Sequence, residues 1–392
     1  MRAKSREFLG KQKIALSGIL IFTVFLAMFF SLRFDAGGGL SEFFVGVEVA
    51  YGNFEDLEAV VNEVKGYTNI VVLGLPEVSI NRTLLDLSCN YIIEAGLNFV
   101  VLFTNLTQYS GWEDYTPAQW VSDAKARYGD KFVAVYRWDE PGGDQLDRSR
   151  YQEVTSAESH KEAAEKYVSV LSPEIRYYQD AGQRVLTADY GLYWFDYQAG
   201  YDAVLAEFGW NNSRQQQIAF VRGAARAFER DWGAIITWTY TNHSGSPYLQ
   251  DGASMYNDLL LAYNNGAKFA IVFNYPEIPS AQYGILTTEH LDTLKTFWNH
   301  IQTHPPANRN HENVKTAYVL PANYGYKFGS ATDTIWGLWG SDSLSAGIYG
   351  DVQNLTMQYG ADFDIVYDDP ARMQKSRYDR LIYWNGTVIG KL

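Results

Sequence analysis

Short apolar runs alternate with longer amphipathic stretches along most of the 392-residue chain. Strand-like runs occupy 43–49, 69–75, 98–103, 132–138, 184–188, 203–208, 234–238 and 269–273. Between them, apolar residues recur every three or four positions and predict helices over 54–65, 117–128, 158–180, 213–231, 254–264 and 289–300. Eight strand-and-helix units in about 260 residues predict a (β/α)8 TIM barrel, α/β in class. A doubly wound open sheet has the same alternation and is the competing architecture. The link from 188 to 203 is aromatic without a helical period and reads as a loop. A polar, proline-containing loop at 304–313 closes this region. Beyond it, runs at 316–320, 363–367 and 379–384 and a helical pattern over 343–359 predict a small, partial α/β unit.

The N-terminus differs in kind. Residues 14–32 form an uncharged apolar stretch of 19, close to the roughly 20 that span a bilayer core. A cleavable signal peptide has a shorter apolar region of about 7–15 residues and small residues at its cleavage site. Here Arg33, Phe34 and Asp35 stand in that place. The stretch therefore predicts an uncleaved signal anchor in contact with the lipid bilayer. The basic residues before it place the N-terminus in the cytoplasm and the body outside a cell membrane. The predicted organisation is a basic segment and anchor over 1–33, a linker over 34–42, the barrel over 43–304 and the small unit over 314–392.

The chain carries 32 basic and 45 acidic residues, net −13, and residues 1–33 hold six of the basic residues but a single acid, Glu7. The body is correspondingly acidic and repels nucleic-acid phosphate. A single cysteine, Cys89, leaves no intrachain disulfide and no cysteine-based zinc cluster. An exported chain without disulfides suits a prokaryotic surface better than an animal one. Glycosylation sequons stand at Asn81, Asn105, Asn211, Asn242, Asn354 and Asn385. The histidines lack zinc-site spacing and no glycine-rich phosphate loop follows a strand, so neither a metal nor another cofactor is expected. Aromatic residues make up 16%, with 29 Tyr and 11 Trp, and such flat faces with polar edges suit sugar rings and interfaces.

In a barrel the chemistry sits at the carboxyl ends of the strands. The fourth run ends in Trp138-Asp139-Glu140-Pro141, where Glu140 is a candidate proton donor and Asp139 a candidate partner for a substrate hydroxyl. Adjacent acids are costly if buried, because each must be paired or protonated; the plainer reading is a solvated Asp-Glu-Pro-Gly turn. Glu207 interrupts the apolar sixth run and is a candidate nucleophile or base; the plainer reading is a core acid paired to an arginine such as Arg137. Glu48, Asp189, Tyr190, Trp238, Tyr240, Asn274 and Glu277 close other runs and join Trp138 and Asp139 as candidate substrate-binding residues. Aromatics expected around the same rim include Trp194, Phe208, Trp210 and Tyr275. Tyr318, Tyr324 and Tyr326 in the small unit have no place there and favour an interaction surface.

Trp138-Asp139-Glu140-Pro141 resembles the Asn-Glu-Pro motif of the (β/α)8 retaining glycoside hydrolases, in which the glutamate is the acid/base. Glu207-Phe208-Gly209 resembles the Glu-x-Gly nucleophile motif of the same clan, and Trp238 is similar to its platform tryptophan. Two positions depart from the pattern. Asp139 replaces the clan's asparagine, and Glu207 lies on the sixth predicted strand where the clan uses the seventh. Either a strand has been missed, or Glu207 is not the nucleophile and the barrel is more distant, or catalysis is absent. The small unit resembles the amidotransferase-like domain that follows the barrel in family 42 β-galactosidases; with no cysteine there, the resemblance implies a structural role.

The resemblance implies a membrane-anchored, outward-facing glycoside hydrolase whose partner is a glycan. The rival is a non-catalytic surface protein, such as a subunit of an oligomeric layer or filament, that keeps the barrel as a scaffold.

Overall fold

The computed structural model describes residues 43–103, 115–209, 212–237, 239–240, 247–276, 282–304 and 314–390. Eight parallel strands close into a barrel: β1 (Phe44–Ala50), β2 (Ile70–Gly74), β3 (Asn98–Phe103), β4 (Phe132–Asp139), β5 (Val185–Asp189), β6 (Ala203–Phe208), β7 (Asp231–Ile236) and β8 (Phe269–Asn274). Strand β1 pairs with both β2 and β8, which shuts the ring and excludes the open sheet. All eight predicted runs are strands. No strand is interposed between β5 and β6, so Glu207 stands on the sixth.

The helices are α1 (Phe54–Val64), α2 (Arg82–Glu94), α3 (Pro117–Tyr128), α4 (His160–Asp180), α5 (Tyr193–Ala199), α6 (Arg214–Phe228), α7 (Gly252–Asn264) and α8 (Thr288–Thr303). Most begin at a polar residue whose side chain takes up an unsatisfied first-turn N–H, as Asn53 does with Asp56 in a reciprocal box and Ser159 with Glu162. Helix α5 corrects the reading of 188–203 as a loop. Tyr193, Trp194, Phe195 and Tyr197 are buried on several sides, so the segment shows no polar face from which a helical period could be read.

Alternation along the strands fills the barrel. Ile70, Val72, Val100, Leu186, Leu205, Ile235 and Ile271 point inward and form one core. Gly46 belongs to this inward set, and a Cβ there would lie 1.8 Å from the Ile70 carbonyl oxygen, so strand contact requires the glycine.

The C-terminal segment forms a four-stranded sheet ordered β10-β9-β11-β12, from β9 (Thr316–Leu320), β10 (Asp364–Tyr367), β11 (Arg380–Tyr383) and β12 (Val388–Gly390), with α9 (Ser345–Tyr359) crossing between β9 and β10. The last strand is antiparallel. This sheet packs on α6, where a Cβ on Gly223 would lie 2.4 Å from the Ile365 carbonyl oxygen. Arg222 and Arg226 of α6 both reach Asp364, at 2.8 and 2.6 Å, in a fully buried cluster. Trp194 and Phe195 lie against Tyr367 and Trp336, which moves Trp194 from the expected rim to this junction. Tyr318, Tyr324 and Tyr326 are buried, with hydroxyls bonded to Asp351, Asp342 and the Ser330 carbonyl. They are core, and the surface expected of them is absent.

The proposed anchor at 14–32 lies outside the described residues; among the described residues no helix is long and apolar enough to cross a membrane. Of the sequons, Asn81, Asn354 and Asn385 are exposed, while Asn105, Asn211 and Asn242 lie outside the described residues.

Candidate active site

The alternation that builds the core also builds the mouth. Continuing the inward parity of β1, β4, β6 and β8 by one step brings Glu48, Tyr136, Glu207 and Phe273 to the last inward positions at the carboxyl ends. Thr237 continues the same parity just beyond β7. These side chains floor a cavity of about 510 Å³, walled by Tyr51, Asp139, Glu140, Asp147, Tyr190, Asn212 and Lys327. A second cavity of about 290 Å³ shares Glu48, Tyr51, Asp139, Glu140 and Phe273 and extends past Trp138.

Strand β4 departs from strict alternation. Its pairing with β5 slips between Tyr136 and Asp139, and Trp138 and Glu140 adopt left-handed backbone, φ 60° and 54°. A bulge re-aims side chains, and non-glycine residues in this conformation are strained by roughly 1–3 kcal/mol each. The slip lets Asp139 join Tyr136 at the cavity, where the Tyr136 hydroxyl donates to the Asp139 carboxylate. It also brings Glu140 over the mouth, with its N–H donating to the Ala188 carbonyl at 3.0 Å. The stretch is a strained strand end, not the solvated turn.

Glu140 and Glu207 line the same cavity and lie close enough for each to act on the other's protonation. Burial and the charge of Asp139 push Glu140 up to about 8. Glu207, 3% exposed, is raised well above the usual range by burial and then by Glu140 and Asp139. Burial and Asp139 raise Glu48 as well. Asp139 is raised by its protein surroundings although it opens onto water in the cavity, and the Tyr136 hydrogen bond opposes the shift. Glu48 is crowded from behind: a Cβ on Gly74 would lie 2.7 Å from its Oε1. Four carboxyls thus share one mouth, and among the described residues the one cation lining the larger cavity is Lys327. Arg137 does not pair with Glu207. It turns outward to Glu174 of α4, with Nε 2.5 Å from the carboxylate, and stacks on Trp138 with its guanidinium 4.4 Å from the ring centre.

Other expected site residues sort differently. Tyr190 lines the cavity. Asp189 does not: it is fully buried and accepts four backbone N–H bonds, from Gly142, Gly143, Tyr190 and Gly191, at 2.6–3.1 Å. Burial still raises it to about 7. Its place is behind the mouth, tying the segment after Glu140 to the end of β5. Asn274 is also fully buried and lines neither cavity, its amide without a protein partner. Trp138 lines the second cavity, with its indole N–H likewise unpartnered. Trp238 and Glu277, with Trp210, lie outside the described residues, and of Tyr240 only the backbone is described, in a short strand pair with Pro247–Tyr248. Tyr51, Tyr136, Asp147, Asn212, Thr237, Phe273 and Lys327 are lining residues that the sequence did not single out. Parity could have found Tyr136, Thr237 and Phe273; nothing local marks Lys327.

No protein-family model matches the chain, and no curated protein matches it in sequence. Solved structures do share its fold. A GH5_18 variant from Bifidobacterium longum subsp. longum ATCC 55813, in complex with Manβ1-4GlcNAc, superposes with a TM-score of 0.54 at 10% identity, over 89% of this chain and 97% of that one. GH5_18 from the same organism superposes with a TM-score of 0.53 at 11% identity, over 89% and 99%. Identity this low establishes the barrel fold alone, so the chemistry must be argued from the carboxyl cluster.

Proposed function

We propose that the chain is a glycoside hydrolase whose working pair is Glu140 and Glu207. The carrying observation is that the two carboxyls line one barrel cavity of about 510 Å³, large enough for a sugar ring, with Glu140 brought over its mouth by the slip in β4. A close approach of the two carboxyls suits the retaining class, whose pair stands about 5–5.5 Å apart, better than the inverting class at about 6.5–9.5 Å. Both carboxyls are raised, so the pair holds a proton near neutrality, which fits the task. Burial favours that proton on Glu207 in the free cleft; entry of the anomeric carbon between the carboxyls displaces it toward Glu140. Glu207 is then left as the attacking carboxylate and Glu140 as the acid that protonates the leaving oxygen. The exposure ranking agrees, because the acid/base must later meet water while the nucleophile remains beneath the ring. Glu140 is half-buried at the rim and Glu207 is buried on its strand. Asp139, Glu48 and Tyr51 are placed to accept from or donate to ring hydroxyls.

The apolar N-terminal stretch and the basic residues before it support a membrane-anchored, outward-facing protein acting on a surface or environmental glycan. The Manβ1-4GlcNAc bound by the Bifidobacterium fold neighbour supports a glycan as the substrate class. The scaffold reading is disfavoured by the same cluster, since raised, clustered carboxyls cost stability and nothing in a scaffold requires them. A screen of the chain against aryl glycosides and polysaccharides tests the proposal. Cleavage is expected, and Glu140→Gln should lower it about 10²–10⁴-fold while the fold is retained. Full activity in that variant would refute the assignment.

A further inference from the structure

One wall of the cavity is built by two distant parts of the chain. Lys327, from the segment between β9 and α9, sets its Nζ 2.7 and 2.9 Å from the two carboxylate oxygens of Asp147. Asp147 caps the short helical turn Pro141–Leu146 that directly follows Glu140. The Tyr190 hydroxyl donates to the same carboxylate at 2.9 Å, and the Lys327 ammonium lies 4.8 Å over the Tyr190 ring. All three residues line the cavity. The tyrosine lies flat here because residue 143 is glycine: a Cβ there would fall 2.1 Å from the ring.

The C-terminal segment is fastened at this spot. Gln145 donates to the Trp336 carbonyl at 2.8 Å, Arg148 to the Gly337 carbonyl at 2.6 Å, and Thr334 to the Leu146 carbonyl at 3.0 Å. Gly337, at φ 64°, approaches so closely that a Cβ would lie 2.1 Å from the Gln145 carbonyl oxygen. Next to Lys327, Phe328 is buried in left-handed backbone, φ 63°, with its ring 5.2 Å from that of Phe220 on α6. The lysine is therefore delivered on a braced segment, and it remains a quarter exposed toward a cavity otherwise rich in acid.

We infer that Lys327 and Asp147 together read two neighbouring hydroxyls of a neutral sugar ring, so that the C-terminal unit supplies part of the substrate specificity of the barrel. The ammonium donates to one hydroxyl and the carboxylate accepts from the next. Their fixed spacing of 2.7 Å is close to that of adjacent ring oxygens, and hydrogen bonds to charged groups are the strong ones. A sugar bearing a carboxylate or sulfate is disfavoured, because Lys327 is already neutralised by Asp147 and, among the described residues, every other charge lining the larger cavity is acidic. The inference rests on the glycosidase reading and deepens it.

The test uses the full-length chain in detergent and the aryl hexoside (gluco, galacto or manno) that it cleaves fastest, with the monodeoxy derivatives of that sugar. A hydrogen bond to a charged group predicts that Lys327→Met raises KM about 10–100-fold, with kcat falling far less. One deoxy position should cost the wild type a similar factor and cost Lys327→Met nothing. Lys327→Arg should recover part of the loss, and Asp147→Asn should blunt discrimination at the neighbouring position. Unchanged KM in a folded, active Lys327→Met, or identical deoxy discrimination in variant and wild type, overturns the inference and leaves Glu140 and Glu207 untouched. Failure of the wild type to cleave any glycoside overturns both.

Discussion

Two places in the molecule bury charge, and they do so in opposite ways. At the junction of barrel and C-terminal sheet, Asp364 is fully buried between Arg222 and Arg226, and the Tyr378 hydroxyl donates to it at 2.9 Å. The remaining Arg222 donors reach Asn265 and the Ala361 and Phe363 carbonyls. There each charge meets an opposite charge or a dipole, as a structural site requires. At the mouth, Glu48, Asp139, Glu140 and Glu207 share one cavity, and their protein surroundings together with neighbouring acids raise all four. One cluster holds the molecule together; the other is held together by it. That asymmetry marks the mouth as the place where function is served at the expense of stability.

The contrast breaks most visibly at the junction. Asp364→Asn keeps the shape but strands two arginines, and removing one partner of a buried ion cluster costs about 3–5 kcal/mol. A marked fall in the urea midpoint is expected; a midpoint within error of wild type would show that the junction is not structural.

The mouth should respond with the opposite sign. Its carboxyls are raised in the folded chain, so the stability they allow is fully present below the ordinary carboxylate range near 4. It is lost as pH rises through the folded values, which at Glu140 reach about 8. Thermal stability should therefore decline between about pH 5 and 8.5, each unit of upward shift being worth about 1.4 kcal/mol. Glu207→Gln, which removes the most enclosed charge of the pair, should melt higher than wild type at pH 8 and close to it at pH 5. Destabilisation at both pH values would mean that the carboxylate is a structural partner.

The barrel was legible because its strands are short, apolar and evenly spaced. Glu140 and Glu207 were legible because carboxyls are rare at the ends of such runs. What stayed hidden follows from three physical causes. An apolar run does not mark which of its two faces points inward: Asp189 and Asn274 sit one step out of phase with the inward residues Ala188 and Phe273, so they face away from the cavity. The slip in β4 reverses parity for Trp138 and Asp139, and a bulge leaves no local sequence mark. Lys327 depends on contacts nearly two hundred residues apart, such as Gln145 with Trp336, which no local pattern encodes.

The central claim is that Glu207, on the sixth strand, attacks the sugar while Glu140 handles the proton. A 2-deoxy-2-fluoro glycoside with a good leaving group slows the second step and traps the glycosyl-enzyme, and peptide mass spectrometry of the inactivated chain locates the adduct. The expected result is a single label on the peptide containing Glu207, absent from Glu207→Gln. A label on Glu140, or on a residue at the end of the seventh strand, would contradict the assignment.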